Sequence, residues 1–97
     1  LENPVKKVIW SPLAIEDLKD IYAFHKSKPS VADKVSLAIF ESISSLIFCE
    51  QFQKDEHYPL YRRIVVGHYK VLYHSEDGKV TIVAVVDCRR QLINKDL

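Results

Sequence analysis

The chain contains no methionine, only two glycines and two cysteines, and a formal charge of +1 from 14 basic and 13 acidic residues. Each scarcity excludes something. Cys49 and Cys88 stand 38 residues apart and no Cys-x-x-Cys occurs, so no zinc spacing is present. The simpler reading is two reduced thiols in a cytoplasmic protein, and a single long-range disulfide is the other. With so few glycines there is no phosphate-cradling loop and no Gly-x-Ser-x-Gly elbow. Neither a cofactor nor a metal is therefore expected. No apolar run approaches ~18 residues and no charged-then-apolar leader opens the chain, so neither a membrane span nor a secretory signal is expected. Without methionine the natural start is expected to lie elsewhere, with residues 1–4 a disordered end or a remnant of cloning. A charge this near zero makes no argument for nucleic acid, which would have to come from where the charges sit.

What is present describes a single small domain over residues 1–97. Hydrophobic residues are 47% and charged residues 28% of 97, which is globular usage. Val5 to Trp10 reads as a strand. Ser11-Pro12 then opens a helix, with Ser11 as cap and Pro12 where a missing N–H costs nothing. Glu16 and Asp17 favour its positive end. Ala14, Leu18, Ile21, Tyr22 and His25 follow the helical period as its inner face. Lys26 to Pro29 breaks it. Ser30 with Asp33 reads as a short capping box for a second helix. Its inner face is Val31, Val35, Ile39, Ile43, Leu46 and Ile47, and Leu37, Phe40 and Phe48 form a second apolar edge.

Cys49 to Pro59 reads as a loop. Three strand-like runs follow: Tyr61 to Val66, His68 to Ser75 and Val80 to Val86. Gly67 and Asp77-Gly78 mark the turns, the second a strong hairpin signal. The last run lacks clean alternation, which suggests a central strand covered on both faces. The expected class is α+β, in the order β-α-α-β-β-β. An antiparallel helical hairpin would pack on one face of a three-stranded meander, leaving the opposite face open and concave.

All four arginines fall after residue 60, as Arg62-Arg63 and Arg89-Arg90. One pair opens the meander and the other follows it, and the two are expected to approach at one end of the sheet. Arginine forks suit phosphate or carboxylate. Pairing with acids such as Asp55, Glu56, Asp77 and Asp87 is the equally open alternative. Alternation places His68, Lys70, Leu72 and His74 on one strand face. A cation between two histidines suits RNA cleavage through an attacking 2′-hydroxyl, with His68 or His74 handling protons. Solvated strand histidines are the commoner outcome. His25 and His57 lie outside this cluster. Cys88 beside Arg89 and Arg90 reads as a passive strand-end thiol, although those charges would lower its pKa if it were exposed.

Trp10-Ser11-Pro12-Leu13-Ala14, Asp17-Leu18, Ile21-Tyr22, Tyr61-Arg62-Arg63, Gly67 to Tyr73 and Val86 to Arg90 together resemble the RelE/ParE toxin superfamily, from about Val8 to Arg90. The resemblance implies a bacterial toxin neutralised by a disordered antitoxin that folds on it, with operator DNA bound only through the complex and plasmid stabilisation as a role. ParE-like members inhibit DNA gyrase by binding; RelE-like members cut mRNA on the ribosome. For the second branch it implies Lys70, Arg63 and Arg90 as catalytic residues, and Arg62, Arg63, Arg89 and Arg90 as phosphate contacts. The tail tyrosine of that branch has no counterpart between Gln91 and Leu97, and whether His74 replaces it is left open. That gap favours gyrase binding, or a non-toxic antitoxin-binding module, over RNA cleavage. The stretch from Tyr61 to Ser75, which is basic and free of acids, favours cleavage. Leu37, Phe40 and Phe48 are the candidate antitoxin strip, with Phe52 and Tyr58 as further candidates. Completion of the core by the strip is the preferred alternative.

Overall fold

The computed structural model describes residues 2–89 and residue 97. Its elements are β1 (Lys7–Trp10), α1 (Pro12–Phe24), α2 (Pro29–Ser44), β2 (Arg62–Val66), β3 (Tyr69–Glu76) and β4 (Lys79–Asp87). They form one four-stranded sheet in the order β1-β4-β3-β2. The meander is antiparallel and β1 joins β4 in parallel. The expected α+β class and element order hold, and β4 is an inner strand as its apolar run suggested.

The turn chemistry is local. Asp77 and Gly78 take φ of +53° and +82°, the pattern of a two-residue I′ hairpin between Glu76 and Lys79. The Gly78 carbonyl accepts from Lys6 N–H at 2.8 Å, and a Cβ at residue 78 would lie 3.2 Å from the Pro4 carbonyl oxygen. Asn3 and Pro4, expected in a loose end, are held: the Asn3 carbonyl accepts from Cys49 N–H at 2.8 Å, and Pro4 bridges Phe48.

β3 and β4 slip register once. Leu72 faces Ala84 but Tyr73 faces Ile82, so Val83 is an extra residue. β1 ends just there, with Trp10 opposite Ile82. Beyond that point α1 takes the place of a neighbouring strand. Ser11 N–H donates to the Ile82 carbonyl at 2.9 Å, and Ser11 Oγ donates to the Val83 carbonyl at 2.8 Å. The same Oγ caps α1 by accepting from Ala14 N–H at 3.1 Å. Asp17, only 6% exposed, accepts from Val85 N–H at 2.9 Å. The first turn of α1 holds no acid. The expected action of Glu16 and Asp17 on the helix dipole is thus corrected: they lie a turn too far along, and Asp17 serves a strand.

α2 begins at Pro29 with Lys28 as its cap residue and no side-chain capping bond. The expected Ser30–Asp33 capping box does not form. Pro29 already supplies the fixed φ of a first helical position, and Asp33 instead accepts from Tyr22 Oη at 2.7 Å, tying the two helices. The main core lies between the helices and the sheet and includes Ala14, Ile21, Ile39, Ile43, Val71, Tyr73 and Ile82. Tyr22 and Ile47, expected inside, are 45% and 64% exposed.

The opposite face is not open. Leu72, Ala84 and Val86 are buried there under Tyr58, Tyr61 and Leu97. Segment 49–61 rounds the β2 edge to reach it. Arg63 N–H donates to the Gln53 carbonyl at 3.0 Å and Asp55 N–H to the Tyr61 carbonyl at 2.9 Å.

Asp17→Ala would leave the Val85 N–H buried without this acceptor. It is expected to lower unfolding stability by about 2 kcal/mol, and Asp17→Asn, which keeps an acceptor oxygen, by less. Urea denaturation of the two variants checks the order.

Candidate functional site

Lys70 points to the second face and is buried. Its ammonium lies 2.8 Å from Asp55 Oδ1 and 5.7 Å from the centre of the Tyr58 ring. The other oxygen of Asp55 accepts from the N–H groups of His57 and Tyr58, each at 3.0 Å. Burial by itself raises the Asp55 carboxyl. The Lys70 ammonium and the N–H groups of Tyr58 and His57 outweigh that, and the group is held below its ordinary value. Lys70, expected as a catalytic cation between two histidines, therefore latches a loop onto the sheet. An acid in a polar loop directly before a turn is a weak sequence signal for this, and nothing in the spacing points to Lys70.

The expected row of His68, Lys70, Leu72 and His74 is broken at one end. His68 is exposed in the Gly67-His68 turn, outside β3. His74 remains half-buried, its ring centre 6.1 Å from that of Tyr61. His25, with no expected role, has Nε2 3.3 Å from Tyr69 Oη.

Arg62-Arg63 and Arg89 do not come together. Arg62 and Arg63 face Tyr73 and Leu72, whereas Asp87 faces Tyr69, which itself faces Val66. A three-stranded meander reverses direction twice, so the start of its first strand and the end of its third lie at opposite ends. That is the correction and its reason. Arg89 is ion-paired to Asp87 at 3.2 Å. Arg90 lies outside the described residues. Arg62 donates to the Phe52 carbonyl at 2.7 Å, and Arg63 to the Lys54 carbonyl at 2.7 Å and to Gln53 Oε1 at 3.4 Å. Both thus grip segment 49–61 rather than an acid. Cys49 is buried and Cys88 exposed, and both are free thiols.

Two clefts open at the lower end of the sheet, near the β3–β4 turn. The larger, about 430 Å³, lies between the Asn3–Lys6 segment, Glu50 and Asp77-Gly78. The smaller, about 230 Å³, is lined by Lys54, Arg62, Tyr73, His74, Leu60 and the shared Glu50 and Ser75. The Glu50 carboxyl is held below its ordinary value, chiefly by the backbone and side-chain N–H donors of Asn3, with a smaller contribution from the Arg62 charge.

The α2 strip is largely outside. Leu37 is 58% and Phe40 46% exposed, while Phe48 is half-buried. Completion of the core is therefore the wrong account of Leu37 and Phe40. Phe40 leans on Trp10 with ring centres 5.4 Å apart, and Val8 and Ile47 are further exposed apolar residues. Phe52 packs on the main core and Tyr58 on the second-face cluster, so both also serve the fold.

Residues 8–92 match the family model described as the ParE toxin of the type II toxin-antitoxin system parDE. No curated protein matches the chain. Among solved structures, a chain of the chromosomal ParDE TA system from P. aeruginosa is similar with a TM-score of 0.70 and 17% identity. The match covers 88% of this chain and 97% of that one, and shows a shared fold.

Because the folded-state pKa of Asp55 lies below its ordinary value, its stabilising contribution is complete above about pH 4 and is lost as pH falls through the folded-state value. Asp55→Asn is expected to remove that acid-side dependence. It should also cost about 3 kcal/mol at neutral pH by leaving the Lys70 charge buried without its partner. Urea denaturation as a function of pH measures both.

Proposed function

The chain belongs to the ParE toxin family of type II toxin–antitoxin systems, and from that premise we propose that it arrests bacterial growth by binding DNA gyrase, with no chemistry of its own. It acts in the cytoplasm until a cognate antitoxin neutralises it, and it meets operator DNA only within that complex. The observation that carries the binding mechanism is the separation and neutralisation of the cations. RNA cleavage needs a proton-handling group and unneutralised charge converging on one phosphate. Here Lys70 is closed by Asp55, Arg89 is ion-paired to Asp87, and Arg62-Arg63 stand opposite Tyr73 and Leu72 in mid-sheet, several residues from the Asp87 end.

The second reading is ribosome-dependent mRNA cleavage. It has one observation in its favour: Arg62 and His74 line the same cleft. A degenerate module that binds its antitoxin without toxicity is the third. The antitoxin is proposed to fold as a helix on the strip of Leu37, Phe40 and Phe48, where Leu37 and Phe40 stand exposed on α2 and Phe48 is half-buried beyond its end.

Inducible expression in bacteria without antitoxin separates the three. Growth arrest with intact messages and altered plasmid supercoiling is the expected result. New message ends within codons, mapped by primer extension, would overturn it in favour of cleavage, and unimpaired growth in favour of the inert module. Leu37→Glu combined with Phe40→Glu should weaken antitoxin binding about a hundredfold by removing two buried apolar contacts, with growth arrest retained. Calorimetric titration with the antitoxin measures it.

A further inference from the structure

We draw no further inference here: the strongest candidate, the apolar patch along the outer edge of β1, where Val8 and Ile47 stand exposed near the Phe40 ring that leans on Trp10, borders the strip already proposed for the antitoxin, and nothing in the structure shows what else covers it.

Discussion

The fold depends on how the upper half of β4 satisfies its backbone. A buried N–H or C=O without a partner costs about as much as a lost hydrogen bond. β1 stops at Trp10, opposite Ile82, and β4 runs on to Asp87. The two residues that close this gap are Ser11 and Asp17, which bond to Val83 and Val85 from the start of α1. Their bonds place the first helix on β4. The short connection and the Tyr22–Asp33 bond then place the second beside it. With the hairpin so fixed, Leu37 and Phe40 face outward because the inner face of α2 is already filled by Ala32, Ile39 and Ile43.

The second constraint is the treatment of charge. The loop from Cys49 to Tyr61 passes around the β2 edge and carries Asp55 to Lys70. A buried pair of this kind adds little net stability, yet it is costly to break by removing one partner. Its consequence is functional: a cation on the sheet is withdrawn from any phosphate. Arg89 is withdrawn more loosely, at the surface, by Asp87. Among the described residues, Arg62 and Arg63 meet no acid within ion-pair distance and are held instead by the backbone carbonyls of Phe52 and Lys54 in the same loop. The same loop therefore covers Lys70 and lines the cleft beside Arg62.

Much of the architecture was legible because its causes are local. Ser11-Pro12 signalled a capped helix start, and Asp77-Gly78 a tight hairpin, through side-chain and φ preferences that need no tertiary context. The apolar run of β4 marked an inner strand. Errors arose where a local rule met a competing partner. Asp33 was legible as a cap but bonds Tyr22, and Asp17 as a dipole partner but bonds Val85. Ile47 fitted the helical period but lies beyond the end of α2 at Ser44 and faces solvent.

The sequence by itself determined the element order, the α+β class, the turns and the family pattern, since these follow from periodicity, caps and the spacing of short motifs. Only the tertiary structure decided which charges are free. The position of Arg62-Arg63 relative to Arg89 depends on strand direction counted across the meander, and the state of Lys70 depends on an acid fifteen residues away brought over by a loop. Charge pairing is a contact between distant residues. It leaves no periodic trace in the chain that makes it.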